Sequence, residues 1–239
     1  MADTMSADKG GKDPAETGYA RLLPSSGDKG ADQKAEAPVP YQFWNLALLG
    51  LTFSLAQSTV SGHLTVSPLV VDDLGYSNIS TLPVFAVDVG AMVSAWFIGW
   101  VMRKQGRRAG FLLGEFAGML ACLTCAGALY LNSLALLTIG GFLLGIWSAA
   151  AYYARFVAGD VVSERLKGRA VSWVLVGSSI CASAGPVLAT RTSTVLPRQF
   201  MAFYLIAAIL ALVSMIVAFL MKLPNHRHRH PAEAEAGGG

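Results

Sequence analysis

The chain has 239 residues, 54% of them hydrophobic and 14% charged, with a mean hydropathy of +0.49. A soluble domain carries about 25% charged residues and no repeated apolar runs of about 20 residues, so the composition excludes an ordinary soluble protein and indicates an all-α integral membrane protein. The net charge of +3 is too small and too scattered over loops to suggest nucleic acid as a partner, so none is assigned; orientation in the lipid bilayer explains the cations.

Residues 1–41 mix Lys, Asp, Glu, Gly, Pro and Ser without an apolar centre. They therefore read as a disordered tail and not as a secretory signal. Lys29 and Lys34 near the first span favour a cytoplasmic location for it. The first span covers about 43–70, is interrupted by Gln57, Ser58 and His63, and exits past Pro68, Asp72, Asp73 and Gly75. The second covers about 82–102 and carries Asp88. After a basic connection comes the third, about 110–130, then a tight turn at Leu131, Asn132 and Ser133. The fourth covers about 134–158, and a polar connection over 159–169 leads to the fifth, about 170–189. A loop over 191–198 precedes the sixth span, about 200–220. The membrane domain is thus 42–222, with a second disordered tail over 223–239.

Six crossings place both termini on one side. That side collects Arg103, Lys104, Arg107, Arg108, Arg165, Lys167, Arg169 and Lys222, while the opposite side keeps Arg191 and Arg198. Cytoplasmic loops carry the excess of Lys and Arg, so both termini are expected in the cytoplasm and the protein in the plasma (inner) membrane.

Small residues recur at helical spacing: Ala86, Gly90 and Ser94; Gly114 and Gly118; Gly141 and Gly145; Gly177, Cys181, Gly185 and Ala189. Such stripes let helix backbones approach closely inside lipid. Cys122 and Cys125 have the spacing of a redox or zinc motif, but no second pair or nearby His supports it, so they read as packing residues and no metal is assigned.

With spans and loops placed, Gly99, Lys104, Gly106, Arg107 and Arg108 match the signature between spans two and three of the major facilitator superfamily, with Arg103 where the family has Asp. Gly141, Gly145, Ala149 and Ala150 look like the fourth-span motif, Gly141 standing where the family has Arg, and 163–170 follows in the usual loop position. Gly185-Pro186 resembles part of a fifth-span motif. The chain therefore resembles the amino-terminal six-helix half of a major facilitator superfamily (MFS) transporter, over about 43–222. The resemblance implies a half built of two three-helix repeats, with a gating loop at Gly99, Arg103, Lys104, Gly106, Arg107 and Arg108. It also implies spans one and four on a central cavity, and transport by rocking against another six-span unit, supplied by a homodimer partner or a second half.

A charge at mid-bilayer is unfavourable by about 2.5–3.5 kcal/mol, so ionisable residues within spans are functional candidates. These are His63, Asp88, Glu115 and Arg155. Depth along the helices brings His63 and Asp88 to a similar level, where they would form a protonatable pair, and allows an ion pair between Glu115 and Arg155. By the resemblance, Gln57 and His63 on span one and Trp147, Tyr152 and Arg155 on span four contact a substrate, Arg155 holding an anionic group and the aromatics stacking on an organic body. Helical geometry separates Tyr152 from Tyr153 by about 100°, so at most one faces a cavity squarely. The sequon at Asn78 lies too close to span two to be used, and the His226, His228 and His230 tail reads as solvated. No nucleophile–base spacing, phosphate loop or cofactor motif appears, so the chain is not read as an enzyme. The function expected is membrane transport of a small organic solute; the alternative is a non-transporting MFS-like membrane scaffold or assembly factor.

Overall fold

The structure is a computed structural model that describes residues 42–161 and 167–221. The tails, and with them Lys29, Lys34 and Lys222, lie outside the described residues, as do Glu164 and Arg165. Helices run over Gln42–Asp73 (α1), Leu82–Gln105 (α2), Arg107–Leu131 (α3), Leu134–Tyr152 (α4), Ala154–Val161 (α5), Lys167–Thr192 (α6) and Met201–Leu220 (α7). A short 3₁₀ turn, Ser77–Ile79, precedes α2. α4 and α5 form one crossing bent at Tyr153, so six rods stand where six spans are expected.

Five of them are long and apolar enough to cross a membrane: Ser77–Gln105, Arg107–Leu131, Leu134–Gly159, Lys167–Thr192 and Met201–Leu220. α1 is the exception, and its sequence says why. Between Thr52 and Ser67 it carries nine Ser, Thr, Gln or His residues. Such a helix is stable in a bilayer only when protein or water covers its polar groups. Thr52, Ser54, Thr59, His63 and Ser67 are buried inside the domain, and Thr52 and Thr59 donate to carbonyls of their own helix.

Glycines set the pairing. α1 packs most extensively on α6, and α2 on α4; α3 packs on α4 and α7. At the α1–α6 crossing a Cβ on Gly185 would lie 1.9 Å from the Ser58 carbonyl oxygen. At the α2–α4 crossing a Cβ on Gly145 would lie 2.2 Å from the Val87 carbonyl oxygen, and one on Gly90 2.2 Å from that of Phe142. Backbone thus meets backbone at both crossings, as the small-residue stripes predict. The two crossings are equivalent: each joins the first helix of one three-helix repeat to the second helix of the other.

The α3–α4 seam is filled differently. Ala150 sits against Gly114, the indole of Trp147 occupies the notch left by Gly118, and the sulfur of Cys125 packs on Gly140. Cys122 and Cys125 are both buried and free.

The connections are shorter than the sequence suggests. A loop of about seven residues is expected between the second and third spans, yet Gly106 alone separates α2 from α3, at φ 95° and ψ 160°, a conformation open to glycine. Arg103 and Lys104 occupy the last turn of α2, and Arg107 and Arg108 the first turn of α3. Long cationic side chains reach the interface from inside a helix, so the helices need not stop for them. At the opposite end Asn132, in the left-handed region at φ 50°, closes α3, and the Ser133 hydroxyl accepts from the Leu136 N–H at 3.4 Å to open α4.

Candidate functional site

The open face of α1 meets the bent end of the fourth crossing in a polar cluster. Gln57 Nε2 donates to the Tyr152 hydroxyl at 3.4 Å. The Arg155 guanidinium lies over the Tyr152 ring, 4.8 Å from its centroid, and over Phe156 at 5.9 Å. Phe53 meets the edge of Tyr152 with centroids 5.9 Å apart. Tyr152 is 38% exposed, whereas Gln57 Oε1 is buried without a partner among the described residues. Three residues from two separate spans (Gln57, Tyr152 and Arg155) therefore converge.

The bend at Tyr153 makes this possible. Tyr153 N–H donates to the Ala150 carbonyl at 3.2 Å, and Phe156 N–H to that of Tyr153 at 3.1 Å, so the backbone tightens locally to 3₁₀ spacing. Tyr153 turns to α2, where its hydroxyl donates to the Ala95 carbonyl at 2.9 Å above Gly99. Tyr152 is left facing α1. Phe53 was missed in the sequence, although it lies one turn before Gln57 and so on the same face.

The other candidates go elsewhere. His63 is fully buried and shares a 2.8 Å hydrogen bond through Nδ1 with the Tyr204 hydroxyl of α7. Its Nε2 lies beside Gly141 and the Pro83 carbonyl but forms no hydrogen bond of acceptable geometry. Asp88, expected beside it, is exposed on α2. The reason is helical phase. Ala86, Val87, Gly90 and Ser94 form the buried face of α2, and position 88 falls outside that arc. Tyr204 could have been suspected, since a phenol inside a span needs a partner.

Glu115 does not pair with Arg155. It is 3% exposed and accepts a hydrogen bond from Trp147 Nε1 at 2.9 Å; the buried Ser214 hydroxyl lies close by without hydrogen-bond geometry. Trp147, expected on the cavity, is fully buried against α3. Gly118 provides its space, and Glu115, three residues earlier on the same face of α3, provides its acceptor.

At the basic end Arg103 is exposed, and Lys104 lies over the Trp100 ring at 4.5 Å. Arg108 donates to the Phe219 carbonyl and stands 4.5 Å over the Phe219 ring, which ties the start of α3 to the end of α7. At the opposite end Arg198 donates to Asn132 Oδ1 at 2.7 Å.

The sequence matches the family model described as Major Facilitator Superfamily over residues 49–238. It is 28% identical over 185 residues to the Riboflavin transporter RfnT of Brucella anthropi, covering 77% of this chain and 46% of that protein. It is 31% identical over 126 residues to the uncharacterized MFS-type transporter YddS of Bacillus subtilis, covering 52% and 29% respectively. A second uncharacterized MFS-type transporter of Bacillus subtilis, YdeG, is 29% identical over 172 residues, covering 70% and 40%. The chain thus spans less than half the length of these curated relatives. Its glycine-locked helix crossings, its Gly106 corner between two cationic helix ends and the extent of the family match agree: this integral membrane chain belongs to the Major Facilitator Superfamily of transporters.

Proposed function

We propose that this six-span unit works as one half of a secondary transporter that moves a small organic solute, held between α1 and α4 by Gln57, Tyr152 and Arg155. The observation that carries this reading is the convergence of a cation, a phenol and an unsatisfied amide oxygen on the open side of the domain. Arg155 offers planar donors to an anionic or carbonyl group. Tyr152 offers a ring face, and Gln57 Oε1 awaits a donor. A flat, oxygen-rich heterocycle suits all three, so riboflavin, the solute in the name of one relative, heads a panel of flavins and other heterocycles.

Asp88 supports the need for a second unit. It lies about 9 Å inside α2 and is exposed, a position that lipid tolerates poorly. A second six-span unit, or water in a cavity between the two, would solvate it. Asp88 and the buried His63–Tyr204 pair are the candidates for ion coupling, and the corner at Gly99, Arg103, Lys104, Gly106, Arg107 and Arg108 is the candidate gate. The basic end faces the cytoplasm of a plasma-membrane protein in this reading.

The test is uptake into proteoliposomes from a broad panel of organic solutes, flavins first. Wild-type protein should accumulate at least one of them, and Arg155→Ala should reduce its uptake by tenfold or more. Uptake unaffected by Arg155→Ala would remove the site from the reading. A second reading, a non-transporting scaffold, is favoured by Arg103 and Gly141, which replace the family's Asp and Arg. It predicts capture of an unrelated protein in fixed ratio and no uptake of any solute.

A further inference from the structure

The exposed side of α6 is divided lengthwise. Arg169, Trp173, Val176, Ile180, Val187 and Arg191 are all exposed, and at 100° per residue they fall within about 60° of one another. The two arginines at its ends are about 33 Å apart along the helix, close to the roughly 30 Å of a bilayer's hydrocarbon core. Beside this stripe runs a second one of Ser172, Ser179, Ser183 and Thr190, whose hydroxyls all donate to carbonyls of their own helix. Small satisfied residues suit contact with another helix; bulky apolar residues bounded by arginines suit lipid.

At the basic end of the lipid-type stripe lies an open surface patch formed by Gly168, Arg169, Ser172, Trp173 and Val176, all on α6. We propose that this patch binds an anionic phospholipid, headgroup at Arg169 and upper acyl chain along Trp173 and Val176. A Cβ on Gly168 would meet nothing within 4 Å, so no described residue crowds that side of the first turn of α6. The Arg169 guanidinium has no hydrogen-bond or ion-pair partner among the described residues, and its planar fork matches phosphate oxygens. Trp173 is 73% exposed about 6 Å deeper, the level at which indoles settle between headgroups and chains. Val176, one turn further, continues the apolar floor. The Ser172 hydroxyl proton is committed to the Gly168 carbonyl at 2.9 Å, which leaves Arg169 as the patch's donor to an anion.

Native mass spectrometry of the full chain, purified and mixed with equal phosphatidylglycerol and phosphatidylcholine, tests this. Wild-type protein should retain phosphatidylglycerol preferentially. Arg169→Gln should lower that retention about fivefold, the effect of one cation near an anionic surface, and leave phosphatidylcholine unchanged. Arg169→Lys should keep most of the preference, and Arg191→Gln, at the far end of the stripe, all of it. Circular dichroism on each variant controls for folding. Equal phosphatidylglycerol retention by wild type and Arg169→Gln would overturn the proposal. So would crosslinking of Trp173→Cys to a second copy of the chain in liposomes, since protein and not lipid would then cover the patch.

Discussion

Glu115 and Trp147 hold α3 to α4 through a 2.9 Å hydrogen bond between carboxyl and indole, in a region closed to solvent. The indole reaches its acceptor because Gly118 has no side chain in the way. Removing one partner leaves the other buried and unsatisfied, at a cost of about 1–3 kcal/mol. Glu115→Leu and Trp147→Phe should therefore each lower the thermal unfolding midpoint in detergent. The double variant should lose less than the sum of the two, because both changes remove the same bond. Strict additivity would show that the bond contributes nothing to stability.

The glycines divide into those that meet backbone, those that meet side chains and those that meet nothing within 4 Å. Gly185→Ala and Gly145→Ala place a methyl group within 2.2 Å of a carbonyl oxygen on the neighbouring helix, and backbone cannot swing away as a side chain can. Each should destabilise by about 1–3 kcal/mol, read as a lower unfolding midpoint and poorer recovery from membranes. Gly127→Ala has nothing within 4 Å in α3 and should be neutral or stabilising by up to about 1 kcal/mol. The same ranking for all three would contradict the seam geometry.

The order and number of crossings were legible because apolar runs of that length have few alternatives in a membrane. The small-residue stripes also named the right seams, since close approach requires them. Side-chain direction was not legible. His63 and Asp88 lie at similar depth, but depth along a helix carries no information about phase against neighbours, and α2 turns Asp88 outward while α1 turns His63 toward Tyr204. Trp147 shows the same limit: it reads as a cavity aromatic until Gly118, 29 residues earlier in sequence, is seen to make room for it inside. Gln57, Tyr152 and Arg155 were singled out because the resemblance named the two helices, and the structure brings their side chains together. The Tyr153 bend that orients them has no Pro or Gly to announce it.

At the proposed solute site, Tyr152 would contribute in two separable ways. Tyr152→Phe keeps the ring beneath Arg155 and the edge contact to Phe53 but removes the hydroxyl that accepts from Gln57. One hydrogen bond is worth about 0.5–1.5 kcal/mol, so the apparent KM for uptake should rise about threefold to tenfold with little change in maximal rate. Tyr152→Ala also removes the support of the guanidinium, worth about a further 0.5–2 kcal/mol, and should exceed the Phe variant by at least about twofold. Wild-type KM in both variants would place the solute elsewhere.

Arg108 joins the start of α3 to the end of α7, donating to the Phe219 carbonyl and covering the Phe219 ring. The last carbonyls of a helix have no partner within it and carry partial negative charge, so a cation there both bonds and complements the helix dipole. The site is exposed, which limits the gain to about 0.3–1 kcal/mol. Arg108→Gln should therefore leave the unfolding midpoint almost unchanged yet loosen the final turn of α7. Hydrogen exchange reads this locally. Amides near Phe219 and Met221 should exchange about twofold to fivefold faster, while those of α7 near Tyr204 keep wild-type rates. Unaltered exchange at Phe219 would mean that α7 holds its own end, and that the corner cations at Gly106 act on α2 and α3 alone.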